Sequence, residues 1–335
     1  MRSVAVLGGG SWGTALAVHL ARIGHTVRLW ARDPALVAEM RTRRANPVYL
    51  PDTPFPETLT VTDRLDEALA GAAMVVVTVP SHGLRVVARQ AAAHVDAGAV
   101  VLSATKGLED ASLLRMSEVL AEEWPHVRDL AVLSGPSFAA ELARSLPTVV
   151  VVASRSDDAV RRVQEDFRSG AMRLYASSDV VGVELGGALK NVMAIAAGAV
   201  EGMRLGHNAR AAVITRGLAE MSRLAVAAGG DRETLAGLAG MGDLVLTCTG
   251  SLSRNRHVGL ALAEGRRLDD ILASTRMVAE GVRTTHAALA LGARYGVELP
   301  IAAQVDALLQ GHTTAEAAVG VLMGRRQRAE SDALR

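Results

Sequence analysis

The chain has 335 residues, half of them hydrophobic, and 36 Lys and Arg against 35 Asp and Glu, for a formal net charge of +1. That length implies about two domains, and an aromatic content of 3% means that their cores are built from Ala, Val and Leu. The balanced charge, with neither a basic stripe nor an aromatic platform, argues against a nucleic-acid partner, and runs such as Met74 to Val79 and Val149 to Ala153 fall far short of the ~18 apolar residues that span a bilayer, so no stable membrane insertion is expected.

In chain order, Val4–Leu7 reads as a strand that runs directly into Gly8-Gly9-Gly10-Ser11-Trp12-Gly13 and then into the helical stretch 14–23. This is G-x-G-x-x-G in the strand–turn–helix context that makes it informative. Gly8 permits the tight turn, Gly10 lets a pyrophosphate approach the backbone, and Gly13 lets helix and strand pack closely. The first helical N–H groups then face the phosphates. Residues 27–31 read as the second strand. Trp30 and Ala31 stand where an NAD-selective chain carries an acid, and Arg32 follows. A guanidinium there pairs with a 2′-phosphate, so NADP(H) is the expected preference, with NAD(H) open. The Pro-rich stretch 46–56 reads as a mobile surface loop.

Strands are expected at residues 74–79, 99–103, 130–133 and 148–152, with helical composition at 84–95 and 113–123. Near-continuous Val-rich runs fit parallel strands buried on both faces. The loops that leave the strand ends carry Val79-Pro80-Ser81-His82, Thr105-Lys106-Gly107 and Ser134-Gly135-Pro136-Ser137-Phe138-Ala139. Past residue 180 the strand signal fades, and 181–201, 209–228, 257–264, 284–295 and 301–309 are helix-like. The fold class is therefore α/β: an N-terminal Rossmann-like doubly wound sheet over 1–180, an all-α domain over 181–323, and a polar tail over 324–335 that includes Arg325 and Arg328.

Only Lys106 and Lys190 are lysines among the 36 basic residues. An ammonium can lose its proton when buried, whereas a guanidinium cannot. Lys190 is thus the candidate to protonate the alkoxide left by hydride transfer to a carbonyl, and Asp243 is the candidate to orient it. Lys106, after a strand, is placed to meet cofactor and bound anion. Ser253-Arg254-Asn255, ahead of a helix, offers a phosphate cradle or a solvated cap. The single cysteine, Cys248, reads as a packed hydrophobe and points to a reducing, cytoplasmic location. No histidine shows metal-ligand spacing, and no metal is expected. These residues leave three readings open: a dehydrogenase of a phosphorylated substrate, a β-hydroxyacid dehydrogenase of similar architecture, and a non-catalytic NADPH sensor.

The segment Gly187-Ala-Leu-Lys190-Asn-Val-Met-Ala194, with Glu201-Gly202, Leu205-Gly206-His-Asn208 and Thr215-Arg216-Gly-Leu-Ala-Glu220, resembles the signature of the NAD(P)-dependent glycerol-3-phosphate dehydrogenases of bacterial type. The glycine turn, Ala104-Thr-Lys106-Gly-Leu-Glu109, Gly135-Pro-Ser-Phe-Ala139, Gly240-Met-Gly-Asp243, Ser253-Arg-Asn255 and Val278-Ala-Glu280-Gly281 extend the resemblance over nearly the whole chain. The resemblance implies reversible reduction of dihydroxyacetone phosphate to sn-glycerol 3-phosphate for glycerophospholipid synthesis, in a homodimer. It implies Lys190 as proton donor and acceptor. Lys106, Gly135, Ser137, Asp243, Ser253, Arg254 and Asn255 would bind substrate, and Ser11, Trp12, Arg32, Lys106, Ala139, Arg254, Val278 and Glu280 would contact the cofactor. Ala199 departs from the larger aliphatic residue usual there. Met193 stands where β-hydroxyacid dehydrogenases carry an asparagine, which counts against that neighbouring family.

Overall fold

A computed structural model describes residues 1–274, 278–327 and 329–330; Arg328 and residues 331–335 of the expected polar tail lie outside the described residues. The chain divides into two units, one formed by Met1–Thr105 with Met116–Val180, the other by Lys106–Arg115 with Val181–Arg335.

The first unit carries the strands β1 (Ser3–Leu7), β2 (Thr26–Trp30), β3 (Ala45–Asn46), β4 (Leu50–Pro54), β5 (Leu59–Thr62), β6 (Met74–Val77), β7 (Val100–Ser103), β8 (Leu130–Ser134), β9 (Thr148–Ala153) and β10 (Met172–Ser177). Among the described residues, eight of these form one sheet in the order β10-β9-β8-β7-β6-β1-β2-β5. Neighbours run parallel except β8 and β9, which are antiparallel. The Val-rich run of β9 correctly signals burial, but burial on both faces does not encode strand direction, so the all-parallel expectation fails at this one step. The core is aliphatic, with Val4, Val6, Leu16, Leu29, Val76 and Leu102 fully buried.

The stretch 46–56 is not a loop. It forms most of the antiparallel hairpin of β3 and β4, and Asn46, fully buried, fixes it. Its Nδ2 donates to the Gly9 carbonyl oxygen at 2.9 Å and to Thr14 Oγ1 at 2.8 Å. Its Oδ1 accepts from the backbone N–H of Tyr49 at 3.1 Å. A run rich in proline lacks ladder donors; here one buried amide supplies the missing anchorage.

The second unit is helical. Its centre is the helix Val180–Gly202, whose residues 182–195 are all buried. By length and composition this helix could cross a bilayer, yet 83% of its most apolar window is buried inside the protein, as in a core helix of a globular fold. Glycines set its neighbours' approach. A Cβ on Gly198 would fall onto the Arg256 carbonyl oxygen, and one on Gly259 onto that of Ile195. The helix Arg254–Ala263 therefore crosses it backbone to backbone. At the other end a Cβ on Gly186 would stand 2.6 Å from the Ala239 carbonyl oxygen. Glu220, on the helix Gly206–Ala227, accepts from the backbone N–H groups of Ile301 (2.7 Å) and Ala302 (3.3 Å) and so caps the helix Pro300–Leu309 from a distance. Burial pushes its carboxyl up to about 7, while those two N–H groups pull it down.

Segment Lys106–Arg115, which the sequence reading assigned to the first domain, packs with the helical unit. Leu108 is buried in the helical core, and Arg115 pairs with Glu184.

Candidate active site

In the first unit, β1 ends in the glycine turn. Gly8 takes φ +125°, a left-handed conformation that strains any other residue. A Cβ on Gly13 would fall onto the Gly8 carbonyl oxygen, so the helix Ser11–Arg22 presses directly on the turn. Gly10, by contrast, has open space where a Cβ would go. Among the described residues, no side chain caps this helix and no acid stands in its first turn, where Ser11, Trp12 and Gly13 present their N–H groups. The turn is thus sterically open and electropositive in the way a pyrophosphate requires, and the residues fit a dinucleotide. Arg32 is exposed just past the end of β2. Trp30 is buried, and its Nε1 donates to the Asp63 carbonyl oxygen at 3.0 Å.

Beyond β8, Gly135 takes φ +136°, and its Cβ would meet Val150 Cα at 3.0 Å. Ser137 Oγ donates to the Gly135 carbonyl oxygen at 2.8 Å. Ala139 opens the short helix Ala139–Ala143.

The second unit brings the two lysines onto one carboxylate. Leu238–Gly242 winds as a single π-turn, a rare geometry that is frequent at functional sites. A Cβ on Gly240 would fall onto the Leu235 carbonyl oxygen, so the turn closes only with glycine there. It delivers Asp243, fully buried, at the head of the helix Asp243–Thr249. Asp243 Oδ1 accepts from Lys190 Nζ at 2.6 Å and Oδ2 from Lys106 Nζ at 2.5 Å. Thr247, one turn on, accepts from Lys190 Nζ at 2.7 Å through Oγ1 and donates to the Asp243 carbonyl oxygen at 2.6 Å. Both lysines thus meet a single carboxylate in a largely buried place. Burial pushes the Lys190 ammonium down to about 8; Asp243 opposes that shift and Lys106 adds to it. Such a group can both give and take a proton near neutrality.

Thr247 was missed by the sequence reading. The signal was present, since residues four apart share a helix face and Asp243 already stood out. Cys248, next to it, is buried in the helical core, and its thiol is pushed up to about 12 by burial.

The tripeptide Ser253-Arg254-Asn255 is divided in its roles. Ser253 is buried and caps the helix Arg254–Ala263, its Oγ accepting from Arg256 N–H at 3.3 Å. Asn255 is buried; its Nδ2 donates to Asn191 Oδ1 at 2.9 Å and its Oδ1 accepts from Gly281 N–H at 2.9 Å. Arg254 is exposed. The Asn255 bonds bring the neighbours of Lys190 and of Glu280 together. Glu280 opens the helix Glu280–Tyr295, with half-buried Val278 just before it. His82 is exposed, as is His207, whose Nδ1 lies 2.8 Å from Arg210 Nη2.

Residues 3–160 match the model of the NAD-dependent glycerol-3-phosphate dehydrogenase N-terminus, and residues 179–320 that of the C-terminus. The chain is 52% identical over 329 residues to a glycerol-3-phosphate dehydrogenase (NAD(P)+) of Koribacter versatilis, covering 97% of this chain and 98% of the relative. A protein of the same description from Thioalkalivibrio sulfidiphilus is 53% identical over 328 residues, with 98% of each covered. The crystal structure of glycerol-3-phosphate dehydrogenase from Coxiella burnetii superposes with a TM-score of 0.93 at 43% identity, covering 97% of this chain and 99% of that one.

Proposed function

The chain belongs to the NAD-dependent glycerol-3-phosphate dehydrogenase family, and from that membership we propose how its own residues carry the reaction. The enzyme interconverts dihydroxyacetone phosphate and sn-glycerol 3-phosphate with NAD(P)(H), the product being the backbone of glycerophospholipids. The nicotinamide, when bound, supplies or accepts the hydride. Gly8, Gly10, Ser11, Trp12 and Gly13 hold the pyrophosphate on the open helix N-terminus. Arg32 favours NADP(H) by pairing with a 2′-phosphate, with Ala139, Val278 and Glu280 as further cofactor contacts.

Lys190 donates a proton from Nζ to the nascent alkoxide during reduction and takes it back from the alcohol during oxidation. Among the described residues, two of its three N–H donors are used by Asp243 and Thr247, which fixes the direction of the third. Asp243 keeps the ammonium in place, and Lys106, on the other oxygen of the same carboxylate, supplies a second positive charge toward an anionic substrate. Arg254, Gly135, Ser137, Ser253 and Asn255 complete substrate binding, the guanidinium on the phosphate, Ser253 by capping the helix that Arg254 opens, and Asn255 by tying that helix to Asn191 and Gly281. The same reading takes the protein as a cytoplasmic homodimer.

The observation that carries the reading is the single buried carboxylate shared by the chain's two lysines. The test is loss of NADPH absorbance on adding dihydroxyacetone phosphate to the wild type and to Lys190→Arg, with a three-carbon keto acid as control. Turnover with the phosphate by wild type alone is expected. Near-wild-type turnover by Lys190→Arg sinks the proton-carrier role, because a guanidinium does not release a proton at neutral pH.

A further inference from the structure

Lys106 is on a ten-residue segment, and something must hold that segment while its ammonium sits at Asp243. Leu108 forms an isolated antiparallel bridge with Arg115. Glu109 N–H donates to the Leu114 carbonyl oxygen at 3.0 Å and Leu113 N–H to the Glu109 carbonyl oxygen at 2.8 Å. The segment is thus a closed hairpin-like turn with Lys106 at one root and Arg115 at the other. Its tip meets the helix Glu280–Tyr295 through exposed groups, Asp110 with Arg283 at 3.4 Å and Ser112 with Arg294 at 3.4 Å, which hold weakly. The root is different. Arg115 Nη1 lies 2.6 Å from Glu184 Oε2, with the side chains 14% and 6% exposed. Glu184 stands on the helix that carries Lys190, six residues before it, about 9 Å along the axis.

We propose that Arg115 is a positioning residue of the proton-transfer centre: its buried ion pair with Glu184 clamps the Lys106–Arg115 turn onto the Lys190 helix and thereby holds the Lys106 ammonium against Asp243. This rests on the reading of Lys190 as proton carrier. The titratable groups facing Lys190 are Asp243 and Cys248 from the helix Asp243–Thr249 and Lys106 from the turn, with Arg256 acting on Cys248. With the clamp released, Asp243 serves Lys190 alone and the like charge moves away. Both changes make Lys190 hold its proton more tightly.

The experiment is the pH profile of kcat/KM for glycerol 3-phosphate oxidation by the full-length enzyme, a direction that needs neutral Lys190. In the wild type the rate climbs through a limb near the value of about 8 set for Lys190. In Arg115→Ala that limb moves up by about one pH unit, a loss of about tenfold at pH 7. Arg115→Lys recovers part of the shift. In a Lys106→Ala background, Arg115→Ala adds no further shift. A lower rate with the limb unmoved would show a purely structural role, and a further shift without Lys106 would show that Arg115 acts elsewhere; either overturns the proposal. Should Arg115→Ala not fold, Glu184→Gln, which removes the anion of the pair, gives the same reading, limb moved or unmoved. A limb that survives in Lys190→Met would instead defeat the proton-carrier assignment, a separate result.

Discussion

Replacing Lys190 by methionine should cost the enzyme its activity and make the fold more stable. The ammonium lies within a centre of two cations and one anion, and its displacement from 10.5 to about 8 amounts to about 3 kcal/mol of free energy spent in keeping it charged while buried. Methionine matches the length of the aliphatic stem and leaves Asp243 with Lys106 as a balanced pair at 2.5 Å. Asp243 Oδ1 and Thr247 lose one donor, which returns part of the gain. A net stabilisation of about 1–3 kcal/mol remains, a rise in Tm of about 2–5 °C. The pH dependence gives the sign. Because the folded pKa lies below the unfolded one, the unfolded chain binds more protons between pH 8 and 10.5, and wild-type stability rises through that window. The Tm advantage of Lys190→Met is therefore largest below pH 8 and closes toward pH 10.5. Turnover, meanwhile, falls by about a hundred- to ten-thousand-fold with loss of the general acid. Calorimetry from pH 6.5 to 10.5 beside steady-state kinetics checks both. A variant less stable than wild type at pH 7, or a gap that widens with pH, would refute the charge accounting.

Three further outcomes are expected. Arg32→Ala should raise KM for NADPH about tenfold or more while leaving NADH within about twofold; equal losses would remove the 2′-phosphate from the argument. Glu220→Gln should raise Tm relative to wild type above pH 7 and lose that advantage near pH 4.5. The carboxyl, raised to about 7 from 4.5 by burial, stabilises the fold when protonated and ceases to do so as pH rises through 7; denaturant melts at both ends of that range check it. Gly259→Ala should lower stability by about 1–3 kcal/mol or more, because the added methyl meets the Ile195 carbonyl oxygen, and chemical denaturation reads this directly.

The limits of the sequence reading have physical causes. Strands inside the sheet, β1, β2 and β6 to β9, announce themselves as apolar runs because both faces are covered. Besides the hairpin β3–β4, hidden in a Pro-rich run, the two strands of this sheet not anticipated, β5 and β10, are its edges. At β10 Arg173 and Tyr175 point outward while Met172 and Leu174 are buried, and an alternating six-residue run looks like a loop to a reading tuned to continuous burial. The glycine turn was legible because Gly8 and Gly13 answer local steric demands and Gly10 leaves the space a pyrophosphate needs. Lys190 and Asp243 stood out by residue type, but that one carboxylate would take both lysines depends on contacts 53 and 137 residues apart. Arg115 and Glu184, 69 apart, carry no spacing signal at all. The sequence marked Ser253 and Asn255 as ligand donors but not their partners in the fold, where Ser253 caps its helix and Asn255 joins Asn191 to Gly281.

The crossing of Gly198 and Gly259 also constrains how this sequence can change over time. Most packing conflicts leave a route of drift, in which one side chain grows after its partner shrinks. Here the obstacle to each glycine is the other helix's main chain, and no substitution can trim a carbonyl. Neither position has a permissive partner that could change first.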